Sequence, residues 1–166
     1  STKTKNGGFT LIELIIYMAL LSIFLLTLTD IFVSILDVQL ESEATSAVEM
    51  DSRFLLARLS YDINRASAIT IPSAIGETAN SLTLVIGGVN YSYVVNGNSL
   101  ELTNNLGTSS LNGSETAVSG LTFQKIANSS VSGTKETVKI NFTATSIAQR
   151  TQGPEVRTFQ TTVGRR

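Results

Sequence analysis

Residues 9–29 read FTLIELIIYMALLSIFLLTLT, and this apolar run decides how the rest of the chain is organised. Its only charged residue is Glu13, and neither Pro nor Gly interrupts it. As a helix it would be about 31 Å long, which matches a hydrocarbon core of about 30 Å. A buried helix of a soluble domain fits less well, because such helices rarely stay apolar on every face over this length. A secretory signal peptide would need a small-residue cleavage site next, and residues 30–37 lack one. The run therefore predicts a single membrane-spanning helix.

The flanking charges predict the orientation of this helix. Lys3 and Lys5 precede the run, whereas the charged residues that follow it are acidic: Asp30, Asp37, Glu41 and Glu43. Short segments rich in lysine stay in the cytoplasm. We therefore expect a cytoplasmic N-terminus, with the rest of the chain outside.

Composition removes most kinds of catalytic chemistry. The 166 residues carry a net charge of −1, with no cysteine and no histidine. Disulfides, thiol nucleophiles, imidazole bases and nearly all zinc or haem sites are thereby excluded. Asp51 and Asp62 are expected to be solvated on a helix surface rather than catalytic. The sequence predicts no catalytic residue, no metal ion, no cofactor and no enzyme activity.

Beyond the apolar run, residues 37–66 predict an amphipathic continuation of the same helix. The segment from 39 to 66 lacks Pro and Gly, and its apolar residues recur at helical spacing: Ala44, Ala47, Val48, Phe54, Leu55, Leu59 and Ile63. We expect one helix of about 55 residues whose second half packs on a sheet.

From residue 67 onwards, polar and apolar residues alternate between turn signals. The predicted strands are 68–71, 81–86, 89–95, 99–103, 121–126, 137–145 and 156–163, with a loop over 104–114. Gly87-Gly88 between two of these runs indicates a two-residue hairpin. The prediction is an α+β fold, in which a long helix packs on a C-terminal antiparallel sheet.

Two features near the N-terminus are unusual for a simple membrane anchor. Gly7-Gly8 stands directly before the apolar run, and Glu13 lies inside it. A carboxylate at membrane depth costs roughly 2.5–3.5 kcal/mol and usually has a partner. The sequence offers no cation within helical reach on its C-terminal side. The alternative is an interfacial Glu13 that contacts lipid headgroups.

Residues 5–14, KNGGFTLIEL, closely resemble the class III signal motif of type IV prepilins and pseudopilins. The resemblance implies that a prepilin peptidase cuts after Gly8 and that Phe9 becomes an N-methylated N-terminus. It also implies that Glu13 pairs with the α-ammonium of Phe9 on a neighbouring subunit. It further implies a pilin-like fold and a role as a filament subunit.

The resemblance also implies how the chain is divided and what it meets. We expect a cleaved leader at 1–8, a transmembrane and filament-core helix at 9–36, an amphipathic helix at 37–66 and an extracytoplasmic β-domain at 67–166. Expected partners are prepilin peptidase, other pilin or pseudopilin subunits, an inner-membrane platform with its ATPase, and membrane lipid before assembly.

Within the family, the sequence favours a minor subunit over a major pilin. The membrane helix lacks the proline that major pilins often carry, and the chain has no cysteine for their disulfide loop. Residues 53–66 resemble the helix end of J-class minor pseudopilins of type II secretion. The alternative is a binding module that the filament displays, with loops 104–114 and 128–135 recognising a surface, a secreted substrate or DNA. Arg157, Arg165 and Arg166 are the candidate DNA contacts.

Overall fold

The computed structural model describes residues 8–126, 136–148 and 150–165. It divides into two compact units, Ser1–Gln39 and Leu40–Arg166. One long helix precedes antiparallel sheets, so the predicted α+β class is confirmed.

The helix α1, Leu11–Arg65, is continuous over 55 residues, as the sequence predicted. Its start is capped by Thr10, whose hydroxyl accepts a hydrogen bond from the N–H of Glu13, while its carbonyl accepts the first helical bond from the N–H of Leu14 at 3.1 Å. Its end is marked by Arg65 in the last turn, where a cation interacts favourably with the helix dipole.

In the first unit, α1 is predominantly apolar, and its side chains are exposed. From Gly8 to the end of that unit every residue is exposed apart from the half-buried Glu13. The helix is long and apolar enough to cross a membrane. A contiguous apolar surface of this extent requires a covering of lipid or protein.

In the second unit, α1 buries about one residue per turn along one face, which forms a buried stripe. The buried residues are Ala44, Val48, Ser52, Leu55, Leu59, Asp62 and Ile63. Phe54 was predicted to belong to this stripe, and that prediction is wrong, because its side chain is 50% exposed. Each step along a helix rotates the side chain by about 100°, so Phe54 turns away when Leu55 points inward.

The strands follow in chain order. They are β1 Ala68–Ile71, β2 Thr78–Ala79, β3 Ser81–Ile86, β4 Val89–Asn96, β5 Ser99–Asn104, β6 Gly107–Ser110, β7 Thr116–Ile126, β8 Thr137–Ser146 and β9 Val156–Gly164. The hairpin predicted at Gly87-Gly88 is confirmed, and both glycines have the positive φ that this turn requires.

The strands form two antiparallel sheets, where the sequence had suggested one. Sheet 1 has the order β1-β3-β4-β5-β6, and sheet 2 has the order β2-β7-β8-β9. The interior contains side chains from both sheets together with the buried stripe of α1: Leu82, Leu84, Tyr93, Leu100, Phe123, Val138, Ile140 and Phe142 are all fully buried.

Two strand predictions need correction. The segment predicted as a loop over 104–114 contains β6, whose four residues are all exposed and therefore lack the alternation that marks a strand. The strand predicted to begin at Leu121 begins at Thr116 instead. A bulge between Ser119 and Thr122, with Gly120 at a φ of 61°, interrupts the alternation there.

The contrast between Leu55 and Phe54 gives a stability prediction. Leu55→Ala should lower the free energy of unfolding of the second unit by about 2–5 kcal/mol, because it leaves a cavity in the core. Phe54→Ala, the matched control, should change it by less than about 1 kcal/mol. Urea unfolding of the full chain in detergent micelles, followed by tyrosine circular dichroism, measures both. Equal losses would contradict the assignment of the buried stripe.

Candidate processing and assembly site

The predicted cleavage junction lies outside the helix. Gly8 and Phe9 precede the first helical residue, and the side chain of Phe9 is 76% exposed. A Cβ built on Gly8 meets no atom within 4 Å. The fold of the described residues therefore does not require glycine at this position.

The first turn of α1 positions Glu13. The hydroxyl of Thr10 accepts a hydrogen bond from the backbone N–H of Glu13 at 3.3 Å. Thr10 and Glu13 have the spacing of a capping box, a device that fixes where a helix begins. The Phe9 ring lies edge-on to the ring of Tyr17, with their centroids 6.0 Å apart. The carboxylate of Glu13 thus leaves the helix at its positive end, one turn from Phe9.

Glu13 forms no ion pair with any residue that the structure describes. Seven ion pairs are seen within the second unit, and none of them includes Glu13. Lys3 and Lys5 lie outside the described residues. The expected partner of Glu13 is the α-ammonium of a neighbouring subunit, and that pairing stays a prediction.

Asp62 was expected to be solvated on the helix surface, and that expectation is wrong. Its carboxylate is fully buried and accepts hydrogen bonds from Nε of Arg58 at 2.7 Å and from the hydroxyl of Tyr93. Arg65 forms an ion pair with it at 2.8 Å. Two guanidinium groups therefore compensate one buried carboxylate, and the phenol joins the helix end to β4. The hydrogen bond between Asp62 and Tyr93 therefore holds α1 on sheet 1.

Arg65 also contacts two aromatic rings, one on α1 and one on β4. Its guanidinium carbon lies 4.7 Å from the centroid of the Tyr61 ring and 5.5 Å from that of Tyr91. Cation–π contacts of this kind contribute about 0.5–1 kcal/mol where they are exposed. They keep Arg65 next to Asp62.

Asp51 also has hydrogen-bond partners, and these contacts hold α1 against the start of β7. It accepts a hydrogen bond from the N–H of Gly113 at 2.9 Å and another from the hydroxyl of Thr116. A Cβ at Gly113 would lie 3.3 Å from the Asp51 carboxylate, so glycine permits this close approach. Asp51 and Asp62 are both structural. Within the described residues, no group of His, Cys, Asp and Glu side chains could hold a metal ion.

Two of the three arginines considered as DNA contacts, Arg157 and Arg165, bind other residues of the chain. Arg157 forms ion pairs with Glu49 at 2.6 Å and with Glu155 at 2.9 Å. Arg165 donates to the carbonyl of Ser67. Arg166 and the loop 128–135 lie outside the described residues. No described contact therefore favours nucleic acid at this end of the chain.

Comparison with known proteins finds a match for the N-terminal segment only. Residues 3–29 match the family model described as the prokaryotic N-terminal methylation motif. This motif is the class III signal characteristic of type IV pilins and pseudopilins, a structural rather than an enzymatic type of protein. The predicted resemblance is thereby confirmed for this segment. No curated protein and no solved structure matches the chain.

The Asp62 cluster gives a prediction about pH. Burial, together with the hydrogen bond to Asp62, raises the pKa of Tyr93 above its ordinary value near 10. Above about pH 10 the unfolded chain has lost this proton and the folded chain retains it. The free energy of unfolding should therefore fall as the pH rises, by at most about 1.4 kcal/mol per pH unit from this group.

Urea unfolding of the full chain in micelles between about pH 9 and pH 11 measures this slope. Tyr93→Phe should make the slope shallower, whereas Tyr61→Phe, at a position that is 60% exposed, should leave it unchanged. The same slope in Tyr93→Phe and in the unaltered chain would contradict the role given to the phenol.

Proposed function

We propose, from the N-terminal methylation motif of type IV pilins and pseudopilins at residues 3–29, that this chain is a structural subunit of a type IV pilus or a type II secretion-like pseudopilus. A prepilin peptidase removes the leader by cutting between Gly8 and Phe9, and Phe9 is then N-methylated. The subunit polymerises through α1. The observation that carries the proposal is the motif itself, followed at once by an exposed apolar helix.

The exposure of the first unit supports polymerisation through this helix. Its apolar side chains include Phe24 at 60%, Leu26 at 67% and Phe32 at 61% exposed. Before assembly, lipid covers such a surface, and in a filament the helices of neighbouring subunits replace the lipid. The same helix surface is thus covered in the membrane and in the filament, and the helix does not need to refold between them.

The setting of Glu13 supports its role as a register device. The carboxylate stands at membrane depth, where an unpaired charge is costly, and no described cation compensates it. An α-amine has an ordinary pKa near 7.7–8.0, so at neutral pH the N-terminus of a neighbour is largely protonated. A subunit that enters at the wrong height leaves both charges unpaired in an apolar surrounding.

The orientation and the place in the filament complete the proposal. The leader lies in the cytoplasm, where the peptidase cuts, and the β-domain lies outside the inner membrane. Assembly uses an inner-membrane platform and its ATPase. The missing membrane-helix proline and the missing cysteines support a minor rather than a major subunit. The role of a displayed binding module draws no support from the described loops.

The processing step can be tested at Gly8. Gly8→Leu should abolish removal of the leader in cells that contain a prepilin peptidase, because the bulkier residue no longer fits the cleavage position. The fold should stay unchanged, since a Cβ at this position meets nothing. Intact mass and N-terminal sequencing measure the product, and Thr4→Leu is the control with a bulky side chain elsewhere in the leader. Leader removal at the normal rate in Gly8→Leu would refute the assignment.

The assembly role can be tested at Glu13 with two substitutions. Glu13→Leu should insert into the membrane but enter filaments at least about tenfold less, because a pair worth more than about 1.4 kcal/mol is lost. Glu13→Gln keeps a side chain that can cap the helix but removes the charge. If charge pairing sets the register, both variants should fail equally. Immunoblots of sheared filaments and of membranes measure incorporation, and normal incorporation of Glu13→Gln would show that capping, not charge, is what assembly requires.

A further inference from the structure

We propose that the outer edge of β9 is a docking site for an extended segment of a different subunit, which adds to sheet 2 as a further strand. This inference rests on the proposed function, because it takes the partner to be another component of the same filament. It concerns the second unit, where neither the methylation motif nor the apolar helix contributes.

The hydrogen-bond pattern shows which backbone groups of β9 are free for a partner. The N–H of Arg165 donates to the carbonyl of Glu136 at 3.0 Å, and the N–H of Ser146 donates to the carbonyl of Glu155 at 2.8 Å. In an antiparallel ladder, bonded and non-bonded pairs alternate. The odd-numbered residues from 155 to 165 therefore bond to β8. The N–H and C=O groups that point outward belong to Val156, Thr158, Gln160, Thr162 and Gly164.

No described segment pairs with this outer edge, and β9 is the last strand in the order of sheet 2. All five residues that present their backbone groups outward are exposed. The register with β8 runs from Thr145↔Val156 to Thr137↔Gly164 without a bulge. The edge is therefore a regular template over nine residues.

The other sheet edges in the described part of the chain are guarded, and most of β9 is not. β1 has four residues, a register shift and Pro72 directly after it. β2 has two residues and β6 has four. Short edge strands, bulges and prolines are the usual devices that prevent unwanted strand pairing. Charged side chains are another such device, and β9 carries one of these, Arg157 near its start. The remainder of β9, from Thr158 to Gly164, has no charge, proline or bulge, which indicates an edge that is kept for a partner.

The side chains of β9 indicate what kind of segment fits. From Thr158 to Val163 the strand carries no charge, and Phe159 and Thr161 are half-buried on the inner face. The exposed face shows Thr158, Gln160 and Thr162. The added strand should therefore be uncharged over its middle, with apolar residues at every second position.

A second copy of this chain does not fit as the occupant. Arg157 pairs with Glu49, and Arg165 reaches Ser67, so β9 runs along α1 in the same direction. Two identical edges meet symmetrically through a two-fold axis, with their strands antiparallel. That pairing would turn the two helices in opposite directions, whereas subunits anchored in one membrane point the same way. The described edges that remain, β1, β2 and β6, are too short to match β9.

Gln160 offers a substitution that blocks the edge without breaking the sheet. Its N–H points outward, so Gln160→Pro removes no hydrogen bond to β8, and proline is tolerated at such edge positions. Gln160→Ala is the matched control, because it removes the same side chain but keeps the N–H. We expect Gln160→Pro to enter filaments at least about fivefold less than Gln160→Ala, the effect of one lost hydrogen bond. Both variants should fold, which the slow exchange of the Phe159 and Thr161 amides would show.

Hydrogen exchange of the unaltered subunit gives the second readout. The amides of Thr158, Gln160 and Thr162 should exchange at least about tenfold more slowly in purified filaments than in the detergent-solubilised subunit. Unchanged exchange in filaments, or equal incorporation of the proline and alanine variants, overturns the inference and leaves the proposed function intact. Absence of the unaltered subunit from filaments, with its leader retained, overturns both.

Discussion

One continuous helix has to satisfy two different surroundings, and the rest of the structure depends on how its sequence does so. In the first unit α1 is predominantly apolar and exposed. In the second unit it buries only the stripe that includes Val48, Leu55 and Ile63. No Pro or Gly interrupts α1, so the backbone is the same in both surroundings. Only the side chains differ between the two units. A continuous helix also leaves no interior backbone group without a partner where lipid surrounds it.

Two carboxylates on this helix differ in whether a described residue balances their charge. Asp62 is fully buried and is compensated by Arg58, Arg65 and the Tyr93 hydroxyl. Removing one member of such a cluster costs about 3–5 kcal/mol, so its members depend on one another. Glu13 has no compensating cation among the described residues. If the proposed pairing holds, Asp62 is neutralised within the chain and Glu13 by a neighbouring subunit.

The sequence was a good guide wherever a periodic pattern persisted. The length of α1 and the bounds of β1 and β3 follow from uninterrupted helical or alternating patterns. The division into two sheets could not be predicted, because pairing between strands distant in sequence depends on packing that no local pattern records. The four exposed residues of β6 show no alternation, and the bulge at Gly120 hides the first half of β7.

The residues of the candidate site were easier to predict from the sequence than the contacts in the core. Gly8, Phe9 and Glu13 form a local motif, so the sequence alone locates them. The burial of Asp62 was not predictable, because its compensation comes partly from Tyr93, which lies 31 residues further along the chain. The available signal was the position of Asp62 within the apolar stripe. It lies one residue before Ile63 and three after Leu59, which is helical spacing. The arginines at i−4 and i+3 from Asp62 were the second part of this signal.

Two uncovered surfaces in the described part of the chain, the first unit of α1 and the outer edge of β9, would select their partners by different interactions. Apolar side chains on a helix gain from any close-packed neighbour, so the first unit can pack against every subunit that carries a similar helix. The outer edge of β9 presents directional N–H and C=O groups, and only an extended backbone in the right register satisfies them. The first kind of contact gives a subunit entry to a filament but no particular place in it. The second would discriminate between neighbours, which is the property that the proposed minor subunit, with one position in an assembly, requires.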